Sequence, residues 1–195
     1  MENRIAQLTD KIAKLEKELL EELDAQQEKF QYKLEGTRIR FEEAVLDAHH
    51  KLRISIHSFL WHAPWRHIAS APFIYGMIIP LSFLDLTVTI YQHICFRLYQ
   101  IPRVRRSRYV VIDRHQLAYL NGIQKFNCVY CGYGNGVIAY TREIIARTEQ
   151  YWCPIKHARR VAGTHRRYSQ FADFGDAEQF QARLAEFRNE LRDEE

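Results

Sequence analysis

The feature that most restricts how this chain can fold is residues 73–91, an almost unbroken apolar run of 19 residues with one formal charge, Asp85. A helix of about 20 apolar residues is what the hydrocarbon of a bilayer demands. Trp61 and Trp65 precede the run, and Tyr91, Phe96 and Tyr99 follow it, as interfacial aromatic belts do. The expectation is a membrane-embedded helical segment with interfacial flanks over 53–102. The rival is the central helix of a soluble core, and Pro80 and Asp85 keep it open.

The flanks bear on topology. Arg103, Arg105, Arg106 and Arg108 form a denser cluster than Lys51, Arg53 and Arg66 before the run. The positive-inside rule therefore sets the C-terminal half in the cytoplasm. Since both flanks are basic and Pro80 divides the stretch, a re-entrant helical hairpin with both ends cytoplasmic is favoured over a single crossing. Asp85 at membrane depth needs a partner or a proton, and His93, two turns on, is the candidate for a shared intramembrane polar site. The arginine cluster suits anionic lipid head groups, each near-surface arginine contributing about 1 kcal/mol. It carries neither a reading helix nor an aromatic stacking motif, which argues against nucleic acid as partner.

Charge divides the rest of the chain. Residues 1–51 carry nine Lys/Arg against twelve Asp/Glu, and 173–195 carry three against eight. Between them lies a second basic block, Arg142, Arg147, Lys156, Arg159, Arg160, Arg166 and Arg167. Met1-Glu-Asn-Arg leads straight into charged sequence, so a signal peptide is not expected. Ile5, Leu8, Ile12, Leu15 and Leu19 recur at alternating spacings of three and four, a short a/d stripe. Helix is expected to continue through Phe30, Leu34, Ile39, Phe41, Val45 and Leu46, with a kink at Gly36. Such a helix predicts homo-oligomerisation or docking of a protein partner; the alternative is packing on its own chain.

Metal-ligand chemistry is spaced along 128–157. Cys128 and Cys131 stand two residues apart, and Cys153 and His157 follow a helix-length gap. Together they could close a tetrahedral Cys3His zinc site, with iron as the alternative metal. The glycines from Gly132 to Gly136 are expected to make a tight turn under the thiol pair, and Val137 to about Gln150 a helix. Tyr109-Val-Val-Ile-Asp113 reads as a strand, Gln116–Leu120 as a second strand or short helix, and Asn121-Gly122 as a turn. A disulfide, a redox-active pair and packed free thiols are the rival readings of the cysteines. Cys95 reads as a small buried hydrophobe. The scattered histidines lack the helical pairings of a di-iron site, so packing and interfacial roles are expected for them.

Cys128-Val-Tyr-Cys131-Gly132-Tyr133 resembles the first knuckle of rubredoxins and zinc ribbons, and Cys153-Pro154 resembles the start of the second. Lys156 stands where a fourth cysteine would be due, which turns the implied metal from four-thiolate iron to Cys3His zinc. The stretch from the apolar run through these residues is also similar to uncharacterised bacterial membrane-associated proteins, which implies a bacterial inner membrane and no known activity.

The end of the chain is simpler. Asp176 is a helix N-cap, and Phe180, Leu184, Phe187 and Leu191 make an apolar stripe, which could bury against the N-terminal helix. The fold expected is mainly α. An amphipathic or coiled-coil helix (1–52) and the membrane segment (53–102) precede a small α+β metal-knuckle domain (103–172) and a C-terminal amphipathic helix (173–195). No phosphate-binding glycine motif, nucleophile elbow or kinase signature is present. The function expected is a membrane-associated, oligomerising scaffold or adaptor with a structural zinc site, its metal-binding domain facing the cytoplasm. The alternative is a membrane-bound iron-dependent redox protein or enzyme.

Overall fold

The computed structural model describes residues 7, 11–12, 14–22, 25, 32–35, 38–41 and 43–193. The chain is mainly helical, and it divides into two compact units that interleave in sequence. One comprises Met1–His62 with Asp113–Phe126, the other Ala63–Ile112 with Asn127–Glu195. Residues 103–172 are thus shared between the units and do not form the α+β knuckle domain that the cysteine spacing suggested.

In the first unit, residues 14–22 are helical. Ile5, Leu8, Phe30 and Gly36, part of the expected long helix, lie outside the described residues. Its continuation is replaced by an antiparallel ladder of β1 (Tyr32–Glu35) and β2 (Arg38–Phe41), with Glu35 opposite Arg38. Gln116 Oε1 accepts a hydrogen bond from the Ile39 N–H at 2.9 Å. Helix α1 (Glu43–Lys51) follows, its His49 ring edge-on to Phe41 at 5.2 Å and Tyr119 at 5.1 Å. Helix α2 (Ile56–Trp61) is capped by Ser55, whose side chain accepts from the Ser58 N–H.

The second unit is built on two long helical stretches. Helices α3 (Trp65–Gly76) and α4 (Ile78–Tyr91) are separated only by Met77, itself in right-handed helical geometry. A π-helical turn (Gln92–Phe96) and a last turn (Arg97–Tyr99) extend them. Pro80 explains the small break: it has no N–H for the Gly76 carbonyl, and its ring crowds that carbonyl. The discontinuity is one residue long, so the apolar run does not fold back as a re-entrant hairpin. Gln100 ends the helix in the left-handed region (φ 59°). The Ile101 N–H then bonds the Phe96 carbonyl at 2.8 Å, a Schellman closure that buries Ile101 beside Phe96.

Helix α5 (Gly122–Trp152) runs unbroken for 31 residues. Its start is a reciprocal capping box: the Gln124 N–H donates to Asn121 Oδ1 and the Asn121 N–H to Gln124 Oε1, each at 3.0 Å. Asn121 is therefore a helix cap and not part of a free turn. Pro154 follows two residues past the helix end, where a residue without an N–H cannot continue it. Contacts between α3–α4 and α5 advance together along both. Tyr75 donates to Asn127 Oδ1 at 2.5 Å, Tyr133 reaches Asp85 at 3.1 Å, Tyr91 and Thr148 are 3.0 Å apart, and Tyr99 stacks on Tyr151. The two helices are parallel.

A parallel pair needs a connection that travels back, and residues 101–112 supply it. The amide of buried Gln92 holds that segment by both backbone groups of Val104, accepting from its N–H at 3.0 Å and donating to its carbonyl at 3.4 Å. Gln92 also donates to the Tyr140 hydroxyl. The glycines expected in a turn are helical, and Gly132 and Gly136 are buried one turn apart. That small-residue spacing lets another backbone approach closely. A Cβ built on Gly136 would sit 2.7 Å from Val110 Cα and 2.8 Å from the Tyr109 carbonyl oxygen. Tyr109–Ile112 is accordingly a returning segment against α5, preceded by a 3-10 turn at Arg106–Arg108, and the strand expected over Tyr109–Asp113 is not formed.

Helix α6 (Ala177–Arg192) starts where expected, with Asp176 accepting from the Gln179 N–H at 2.9 Å. Phe187 and Leu191 are fully buried. The Phe187 ring packs on Phe171, and its carbonyl accepts from Gln150 of α5 at 3.1 Å.

Gly136→Ala sets a methyl against backbone that cannot move aside, an overpacking cost of roughly 1–3 kcal/mol. Thermal unfolding in detergent should show a clear drop for this variant. Gly163→Ala, which meets nothing within 4 Å but has φ 66°, should lose only the smaller backbone cost.

Candidate functional site

The sequence-derived metal ligands are not brought together. Cys128 and Cys131 lie on α5, and Cys153 follows its last residue, Trp152. With 1.5 Å of rise per residue, the helix separates the Cys131 and Cys153 levels by about 33 Å. A zinc ion holds each sulfur at about 2.3 Å, so one ion cannot take both Cys131 and Cys153. His157 is held instead by Tyr168, which accepts from its backbone N–H at 2.6 Å and stacks on its ring. Partial burial, reinforced by the Glu149 carboxylate, raises the Cys153 thiol pKa and opposes the thiolate a metal needs. Among the described residues no three His, Cys, Asp or Glu side chains converge on a common point. These residues do not fit one zinc or iron ion.

The structure assembles a different polar site at Asp85. This residue lies on the buried side of α4, its side chain 13% exposed. Its partner is Arg106, from the basic cluster. Nε donates to Oδ1 at 3.0 Å and Oδ2 at 3.2 Å, and Nη2 donates to Oδ2 at 2.7 Å. The Tyr133 hydroxyl adds a donor to Oδ2 at 3.1 Å and lies 3.4 Å from Ser82 Oγ. This forked geometry is the strong form of an arginine–carboxylate pair. His93, the partner expected from sequence, points away: its ring is exposed and Nδ1 lies 2.7 Å from the Thr89 carbonyl oxygen. All four arginines expected to face lipid are exposed, but Arg106, its side chain 43% exposed, is engaged by Asp85.

A second network joins the return segment, α5 and the tail. Glu143 Oε1 accepts from Arg147 Nε and Arg167 Nη2, both at 2.9 Å. Arg147 also donates to the Pro102 carbonyl, and Arg167 to Gln150 Oε1, each at 2.8 Å. His165 Nε2 lies 2.8 Å from Glu149 Oε2. Burial alone would raise the Glu143 pKa, but hydrogen bonds from Arg147 and Arg167 and their charges outweigh it and hold the carboxyl below its usual range.

Both basic blocks are visible in the sequence but their convergence is not, because Arg106 and Arg108 meet α5 only after the chain reverses. The Asp85–Arg106 pairing carried one usable signal: a lone acid in an apolar run followed by a dense arginine cluster. Tyr133 carried none. Comparison with known protein families, curated proteins and solved structures yields no match.

Removing Arg106 leaves a mostly buried carboxylate without its cation and with only the Tyr133 hydroxyl as a described side-chain donor, a loss of about 1–3 kcal/mol. Arg106→Ala should therefore unfold at lower temperature than Arg105→Ala, and Asp85→Asn should recover part of the loss in the double variant. For Glu143 the folded pKa is depressed, so its stabilisation is present above the unfolded-state value and is lost as pH falls through the folded one. Stability against pH should hold from neutral into mild acid and then decline. Glu143→Gln should lack that part of the decline.

Proposed function

We propose that this chain is a non-catalytic, membrane-associated scaffold that lies along one face of a bilayer instead of crossing it. The observation that carries this reading is the apolar face left uncovered on α3–α4. The helical stretch Trp65–Tyr99 is long and apolar enough to cross a membrane, with mean hydropathy 1.8, yet only 11% of its most apolar window is buried. Ile68, Ile79, Phe83, Leu86, Ile90 and Ile94 recur along one side of it and are all half or more exposed. Asp85, Val88, Gln92 and Phe96 occupy the other side, against α5 and the return segment.

The parallel arrangement argues for the in-plane placement. If α4 crossed the bilayer, α5, packed beside it, would cross in the same direction. The connection would then have to return through lipid carrying Arg103, Arg105, Arg106, Arg108, Asp113 and Arg114. Charges and irregular backbone at lipid-exposed depth are strongly disfavoured. A helix with one apolar face set into the head-group boundary avoids that cost. The basic clusters suit the anionic cytoplasmic leaflet, in a bacterial inner membrane.

Homo-oligomerisation through the N-terminal helix is the second part of the proposal. Ile12, Leu15 and Leu19, at a/d spacing, are each more than half exposed, which supports a role in pairing with another helix.

The membrane reading is tested on sealed vesicles of known orientation, with the native cysteines replaced. Single cysteines at Ser58 and Ser107 should react with an impermeant maleimide from the same side; labelling from opposite faces would establish a crossing. High salt should not release the protein. Phe83→Asp with Ile90→Asp should weaken membrane retention about tenfold or more, each buried side chain contributing about 1.5–3 kcal/mol. Release of the unmodified protein by salt alone would end the reading.

A further inference from the structure

On the flank of α5, the return segment and the tail enclose an open groove of about 780 Å³. Its lining joins both basic blocks: Arg108, Arg142, Arg166, Arg167 and His165 face a single carboxylate, Glu143. That carboxylate is already committed to Arg147 and Arg167. Arg142 donates one N–H to the Gly163 carbonyl at 2.6 Å, which orients its guanidinium and leaves other donors unused. Among the described residues the Arg108 guanidinium has no ion pair or hydrogen bond, its backbone N–H alone being engaged by the Arg105 carbonyl, and the Tyr109 hydroxyl beside it has no partner. Thr164 adds another hydroxyl to the wall. The groove is thus rich in donors while its one acidic group is spent.

We propose that this groove binds a phosphate-bearing group of net negative charge, either the head group of an anionic phospholipid or a free phosphomonoester. Planar guanidinium forks match the oxygens of a tetrahedral oxyanion, and several converging on one site give both charge and direction. The volume lies within the usual range for small-molecule sites, roughly 300–1,000 Å³, and leaves room for more than a bare ion. Arg108 and Arg142 are the principal ligands, because their donors are the least engaged by the protein. Arg167 and Glu143 act as positioning residues that brace the wall. The lipid source rests on the membrane-surface reading above; phosphate recognition by the groove does not.

The test is calorimetry of the full chain in a neutral detergent, so membrane attachment plays no part in the readout. The probes are inorganic phosphate, glycerol phosphate, and water-soluble short-chain phosphatidic acid, phosphatidylglycerol and phosphatidylcholine, with a single-stranded RNA oligonucleotide as the rival polyanion. Saturable binding of one phosphate-bearing probe per chain is expected, weakened by about tenfold or more in Arg108→Ala and in Arg142→Ala. It should be partly restored in Arg108→Lys and fall with added salt. Because the Arg108 guanidinium makes no hydrogen bond or ion pair among the described residues, its side-chain variants should keep the fold. Binding of the short-chain anionic lipids without the free phosphates identifies a head group as the source; equal binding of glycerol phosphate identifies a free phosphomonoester. The proposal is overturned if no probe saturates, if both alanine variants bind as the parent does, if phosphatidylcholine binds as well as the anionic lipids, or if only the oligonucleotide binds. A vesicle experiment that failed while these titrations succeeded would remove the membrane reading and leave the groove intact.

Discussion

The second unit depends on one constraint: two long helices that run parallel need a connection that comes back between their ends. Helix–helix packing can tolerate either direction, but the parallel choice leaves a dozen residues to be laid along the pair. Gln92 meets this need by offering Val104 the donor and acceptor that a neighbouring strand would offer. Tyr140 engages the same amide, and the absence of a side chain at Gly136 makes room for Val110. Each contact satisfies a buried polar group or removes a clash, and an unpaired group at any of these points would carry the full cost of desolvation.

That return path explains where the charges go. It carries Arg106 back to Asp85, so the one acid in the apolar run meets a cation that lies 21 residues later in sequence. It carries Arg108 and Tyr109 alongside Arg142 and Glu143 of α5. The polar groups of the second unit therefore gather along the return path, while the opposite side of α4 keeps its isoleucines, leucine and phenylalanine exposed. An uncovered apolar face of this extent on one helix, in the same unit as a basic groove, is the physical basis for the proposed attachment at a membrane surface.

Local signals in the sequence were reliable where a short stretch of chain carried its own instruction. The Asp176 cap and the Phe180–Leu191 stripe specify α6 without outside help. The length and apolar content of 73–91 specify a helix, and its aromatic flanks suggest a membrane. Sequence and structure part where local preference and tertiary packing disagree. Gly132, Gly134 and Gly136 favour a turn, since each costs a helix about 1 kcal/mol relative to alanine. They are helical here because Gly136 admits the return segment's backbone and Gly134 abuts Leu81. With that turn gone, the cysteine spacing no longer describes a knuckle. The Asn121–Gln124 capping box was the available signal that a helix starts before Cys128.

By itself, then, the sequence determined the helical character of the chain, its apolar run, its two basic blocks and its C-terminal helix. Each follows from propensity, periodicity or charge within a few turns of chain. Tertiary structure alone decided that α4 and α5 are parallel, that Asp85 pairs with Arg106 and not His93, and that most of one continuous helix separates Cys131 from Cys153. The physical reason is that these are relations between distant residues, fixed by which backbone can approach a glycine face and which buried polar groups find partners. A linear pattern of residues records the groups that need partners, but not the path that brings the partners to them.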